Sequence, residues 1–155
     1  MSLPPKAEIV AALCSSLESE LSALVRMAAA ASDEVGSDET KNEGKYDTRS
    51  TEASYLARGL AFRIADLRQL VAWFQLFDAS WQSKVVQAGA LIQLDEDLLF
   101  MAPVGGGRVR IGERLVTIIS PSAPLGEALA GLEAGDVAEI DSPRGILTRE
   151  IRALC

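Results

Sequence analysis

The sequence predicts an α+β chain in two parts, an antiparallel α-helical hairpin followed by a small β-sheet domain with one short helix. Three observations carry that prediction. Apolar residues recur at helical spacing in two long stretches, 10–28 and 56–74. A polar, acid-rich segment over 33–47 joins them. After Trp81 the texture breaks into short apolar runs punctuated by glycines and acids, the pattern of strands and turns.

The first helix is announced by Pro4 and Pro5, which precede a glycine-free run over 6–31. Proline suits a helix start because its missing N–H would have no intrahelical partner there. Val10, Leu13, Leu17, Leu21, Leu24 and Ala28 then form a single stripe. The second helix spans about 49–75, with Leu56, Leu60, Ile64, Leu67, Val71 and Phe74 at steps of three and four, as in a coiled-coil seam. Each arm has one apolar stripe and is polar elsewhere, so each needs a partner, and the short connection makes the other arm that partner. Arms of this size reach roughly 40 Å at 1.5 Å per residue. The expected domains are therefore a coiled-coil hairpin over 1–79, with an acidic tip at 33–47, and a second domain over 80–155.

In the second part, strands are expected over 88–95, 98–103, 108–111 and 115–120. Gly105, Gly106 and Gly107 lack the Lys-Ser/Thr and the helix that a phosphate-binding loop needs, so they are expected to form a hairpin turn. A short helix is expected within 122–132, with Ser122 near its cap and Pro124 in its first turn, followed by strands over 137–140 and 146–151. Trp73, Phe74, Phe77 and Trp81 cluster where the rod should meet the domain and read as a packing patch. Tyr46 and Tyr55 read as packing residues of the hairpin.

Composition narrows the function. The chain has 155 residues, 48% of them apolar, enough for one core or two small ones. Its net charge of −7 argues against holding nucleic acid directly, which needs clustered Lys and Arg. There is no histidine, which excludes Ser-His and Cys-His nucleophiles and the usual zinc sites and leaves carboxylates as the available catalytic groups. Cys14 and Cys155 do not suggest a planned disulfide, and neither a signal peptide nor a membrane span is visible, so a cytoplasmic location is expected.

The charge is uneven. Residues 32–47 carry six acids against Lys41 and Lys45, a net of −4, whereas 48–87 carry five bases against Glu52, Asp66 and Asp78, a net of +2. A helix C-terminus favours cations, yet Asp33, Glu34, Asp38 and Glu39 stand where the first helix is expected to end. They gain nothing from the dipole and repel one another, which points to a task outside the fold. Asp47 can cap the second helix, and Arg49, Arg58, Arg63 and Arg68 read as that helix's solvated face.

Two stretches carry a resemblance. NEGKYDTRSTEASYLARGLA (42–61) is similar to the entry into the second helix of the bacterial Gre-type transcription elongation factors, especially the Gre-like branch reading KYDTR…EASYLA. SAPLGEALAGLEAGD (122–136) resembles that family's SPLxxALxGxxxGD segment at Ser122, Pro124, Leu125, Ala128, Leu129, Gly131, Gly135 and Asp136. With the two arms, the resemblance covers nearly the whole chain. It implies a coiled-coil hairpin followed by an FKBP-like antiparallel β-sheet domain. It further implies a factor that docks on RNA polymerase at the secondary channel, through the segment of Ser122, Pro124 and Leu125, and pushes its acidic tip inward. Tip carboxylates would then help the polymerase hold a second Mg²⁺ and hydrolyse backtracked RNA. The factor itself would be a monomer and no enzyme, in indirect contact with nascent RNA and away from membranes.

The family's metal-assisting acids are an Asp and a Glu three residues apart. Asp38 can be laid on the Asp, with Lys41 at the second position, or an ungapped anchor on Tyr46 lays Glu39 and Asn42 on the pair. Asp38, Glu39 and Glu43 are therefore the candidate tip carboxylates, with Asp38 and Glu39 the candidates for Mg²⁺. The alternative is a non-catalytic regulator of the shorter-armed Rnk type, which occupies the channel without promoting cleavage. A prolyl isomerase is disfavoured because residues 82–155 hold one aromatic, Phe100, where such pockets are lined with several. A dimeric coiled-coil scaffold is a further alternative.

Overall fold

Two long helices come first in the computed structural model. It describes residues 3–41 and 48–155, and for 32–41, 48–51 and 53 the backbone alone. Helix α1 spans Lys6–Lys41 and α2 spans Thr48–Leu76, and they pack on each other as an antiparallel pair. The stripes expected from spacing meet at the base, where Ile9, Val10, Leu13 and Leu17 of α1 and Ile64, Leu67, Leu70, Val71 and Phe74 of α2 are all buried. Two polar bonds pin the register: Gln75 Nε2 donates to Glu18 Oε1 at 2.9 Å, and Arg63 pairs with Glu20 at 3.0 Å. Exposed pairs of this kind contribute about 0–1 kcal/mol each, so they specify alignment more than they stabilise.

Helix α1 does not stop near Ala31. It continues through Gly36 and the acids to Lys41. The distal seam is open, however. Beyond Leu17 the one buried described side chain of α1 is Ala31, and Leu56, placed on the seam by its spacing, is 57% exposed. Tyr55 is also exposed and lies beside Arg58, with 5.7 Å from guanidinium to ring centroid, so it is not a packing residue. Tyr46 lies outside the described residues.

The second part is one six-stranded sheet. Its elements are β1 (Leu91–Leu94), β2 (Asp97–Met101), β3 (Arg108–Ile111), β4 (Arg114–Ile119), α3 (Pro124–Leu129), β5 (Val137–Ser142) and β6 (Gly145–Leu154), in spatial order β3-β4-β2-β1-β6-β5. Every neighbouring pair is antiparallel except β2–β4, which is parallel, so the sheet is mixed. The exception has a topological cause. The chain leaving β2 crosses to the edge, forms β3, and only then returns as β4. Gly105, Gly106 and Gly107 lie in that crossover and not in a hairpin turn. Gly106 packs closely against the rod there: a Cβ at this position would stand 2.7 Å from Leu70 Cδ2 on α2, whose side chain would have to shift.

Period-two alternation sends neighbouring residues to opposite faces. Leu91, Leu98, Phe100, Val116 and Ile118 face the hairpin base and share a core with Leu13, Leu17, Leu67 and Phe74. Ile92, Leu99, Met101 and Ile119 face the other way and share a second core with Leu129 of α3, Ala138 and Ile151. Both faces are covered, one by the rod's foot and one by a helix of two turns.

Candidate functional site

The long rod places its far end well away from the sheet. At 1.5 Å per residue, the 36 residues of α1 extend about 54 Å. Asp33, Glu34, Asp38 and Glu39 belong to its last turns, with their backbone described and their side chains not, while Glu43 lies outside the described residues. The helix changes how the acids group. Asp38 and Glu39 are consecutive, and consecutive helical positions diverge by about 100° around the axis and do not face each other. Glu34 and Asp38, four apart, occupy one side of the helix. Spacing within the helix could have revealed this pairing, but an expected end near Ala31 hid it. Among the described residues no group of three or more metal-binding side chains converges.

At the rod's foot the expected aromatic patch is present. Trp73 and Phe77 stack at 4.7 Å between centroids, Phe77 meets Trp81 edge-to-face at 6.2 Å, and Phe74 and Phe77 both contact Phe100 of β2. Sequence reasoning missed Lys6, which is 5% exposed. Its ammonium donates to Trp81 O at 2.9 Å and Cys155 O at 3.1 Å, and stands 5.1 Å from the Trp81 ring centroid and 5.5 Å from that of Phe77. One lysine thereby ties the start of α1, the segment after α2 and the end of β6. Burial pulls its pKa below the ordinary lysine value, and the negative charge of Cys155 in its ionised form offsets this in part. Cys14 and Cys155 are both free thiols, each pushed up chiefly by burial.

The α3 side of the sheet carries the segment of Ser122, Pro124 and Leu125. Ser122 and Pro124 are exposed, and Leu125 is half-buried against the second core. Ser122 is not the cap. Ala123 holds that position without a side-chain bond, and the Ser122 hydroxyl shares a 3.0 Å hydrogen bond with Ser120. What fixes the helix is contact: a Cβ on Gly126 would stand 1.8 Å from Ser120 O. Beside Leu125 opens a cleft of about 500 Å³, with Leu99 and Leu115 on its apolar side and Arg108, Arg114 and Asp97 on its polar side. Arg149 closes one end, donating to Asp95 at 2.9 Å, Asp97 at 2.6 Å and the Leu94 carbonyl at 3.1 Å. Hydrogen bonding from Arg149 is the main reason Asp95 sits below the usual carboxylate pKa. No aromatic lines this cleft among the described residues, and Phe100 is buried on the opposite face.

No family model matches the chain, and no curated protein matches it. Among solved structures, the chain is similar to GreA factor homolog 1 (Gfh1) of Thermus thermophilus at 18% identity and a TM-score of 0.42, over 92% of this chain and 94% of that one. A second structure of the transcription factor Gfh1 gives 18% identity and a TM-score of 0.42, over 92% and 93%. Gfh1 of Thermus aquaticus gives 17% identity and a TM-score of 0.36, over 90% and 92%.

Proposed function

We propose that this chain is a Gre-like regulator of transcription that binds RNA polymerase with its sheet domain and inserts its helical rod into the secondary channel. The observation that carries the reading is the rod itself. A 36-residue helix and a 29-residue helix pair with each other, and buried described side chains are concentrated at the foot. Beyond its foot the rod buries few of its described side chains and is suited to reach. Two stretches resemble the Gre-type factors: of 42–61 the described residues 48–61 form the first part of α2, and 122–136 lie on the α3 side of the sheet. In this reading Ser122, Pro124 and Leu125, with the cleft beside them, meet the polymerase. The rod occupies the channel, and the acids of α1 place negative charge near the polymerase's active centre.

Occupancy without cleavage is the primary reading, because neither Asp38 nor Glu39 has an acid three residues on, where the family's pair requires one. Stimulated cleavage is the second, favoured by the side shared by Glu34 and Asp38. Mg²⁺ retains several waters and accepts single carboxylates, so one tip acid could contribute to an ion held mainly by the polymerase. Hydrolysis would in either case be the polymerase's own chemistry. The test uses purified polymerase core and an arrested elongation complex with 3′-labelled RNA. Core binding that is lost on Pro124→Asp with Leu125→Asp, without release of short 3′ fragments, is the expected result. Fragment release that Asp38→Asn abolishes would move the function to cleavage. Absence of core binding would overturn both readings.

A further inference from the structure

We infer that copies of this chain associate head to tail, the tip of the β5–β6 ribbon of one seating in an apolar groove at the rod's foot of the next. The groove, about 390 Å³, is lined by Trp73, Leu76, Phe77, Trp81 and Ala88, with Asp78 at its rim. Leu76 is 88% exposed, the highest value among the described large apolar side chains. Asp78 accepts hydrogen bonds from the Ser80 amide at 3.0 Å and the Ser80 hydroxyl at 2.6 Å, which hold its carboxyl below the usual pKa and thus charged. The groove therefore suits an aliphatic side chain with a cation beside it.

The same chain carries such a knob. Strand β6 is ten residues long, but β1 pairs only with its later part, so the earlier half pairs with β5 alone. At the end of this ribbon the turn is locked, with Ser142 Oγ donating to Gly145 O at 2.7 Å and accepting from Arg144 N at 3.3 Å. Arg144 is exposed and forms no ion pair among the described residues, and Ile146 and Leu147 are 64% and 52% exposed. A rigid turn of this kind loses little freedom on docking.

Position argues for a second copy as the occupant. The groove adjoins the Leu91–Cys155 end of the sheet, through Ala88, while the knob sits at the opposite end of β6. Ten strand residues separate the two by roughly 33 Å, so a chain cannot fill its own groove. Two complementary patches at opposite ends of one body give a heterologous contact, which lengthens with concentration unless it closes into a ring. Arg144 meeting Asp78 supplies the charge match. One knob is smaller than the roughly 1,200 Å² typical of stable interfaces, so the association is weak and requires high concentration.

Sedimentation velocity at low salt over a hundredfold concentration range tests this. The average mass of the wild-type chain is expected to rise with concentration. Leu76→Asp (groove lost) and Arg144→Glu with Ile146→Asp (knob lost) are each expected to stay monomeric with unchanged thermal midpoints, since these side chains are exposed. Mixed together, the two variants should form a one-to-one dimer and nothing larger, because one intact knob and one intact groove remain. A wild-type chain that is monomeric throughout overturns the inference, as does self-association of either variant alone or a mixture that stays monomeric.

Discussion

Replacing Gly126 with alanine sets two physical effects against each other. Gly126 lies inside α3 with no left-handed backbone requirement, so helix propensity alone favours alanine by about 1 kcal/mol. The added methyl, however, would stand 1.8 Å from the Ser120 carbonyl oxygen and 3.2 Å from Pro121 Cα, both backbone atoms that cannot rotate away. Relieving the clash means moving α3 or the 120–122 segment outward by about 1.5 Å, which pulls Leu129 off Met101 and Ile151. Overpacking of this kind costs typically 1–3 kcal/mol, and rigid backbone on both sides puts it at the upper end. We expect a net loss of about 2 kcal/mol, which for a chain of this size lowers the thermal midpoint by about 4–8 °C. Differential scanning calorimetry reads the midpoint, and the same protein should bind polymerase core more weakly because Ser122 and Pro124 move with the segment. A midpoint equal to or above that of the wild type would show that propensity wins, and the account of how α3 is held would be wrong.

Lys6→Met should remove a pH dependence. A lysine whose folded pKa lies below 10.5 binds its proton less well in the native state than in the unfolded chain. Stability from this group therefore rises as pH climbs from the folded pKa toward 10.5. That alkaline rise, followed by urea unfolding between pH 8 and 10.5, should be present in the wild-type chain and flattened in the variant, and equal slopes would sink the assignment. Arg149→Ala acts at the other end of the scale. Asp95 is held below its usual pKa chiefly by Arg149, so its contribution is full above about pH 4 and fades as pH falls through the folded value. The variant should be less stable than the wild type at pH 6, and the gap should close on acidification; a gap independent of pH would refute the role of the pair.

Much of this architecture could be read from residue order. The seam residues Leu13, Leu17, Leu67 and Phe74 are buried as their spacing demands, and all six strands fall within or near the expected runs. What escaped depended on contacts distant in sequence. The end of α1 was hidden because Asp33, Gly36, Ser37 and Asp38 are poor local helix formers, yet the helix continues through them. Leu56 stays exposed because a single partner helix does not cover the distal seam. The parallel β2–β4 pair follows from a crossover that no local turn signal encodes. Lys6 looked like an ordinary surface lysine, since its partners Trp81 and Cys155 are 75 and 149 residues away. At the candidate site the acidic composition was evident, but the pairing of Glu34 with Asp38 required the helix to be known.

The clasp at Lys6 also bears on how the chain matures. Strand β6 pairs with β1, and the residue after it meets Lys6 in the first turn of α1, 149 positions earlier, so residues 145–155 complete both the sheet and the clasp. During synthesis the two arms could zip together while the sheet still lacks its sixth strand. Until those final strand residues arrive, Ile92, Leu94 and Met101 would lack Ile151 and Leu154 as core partners, a window in which a chaperone or a stray hydrophobic surface could engage the nascent protein.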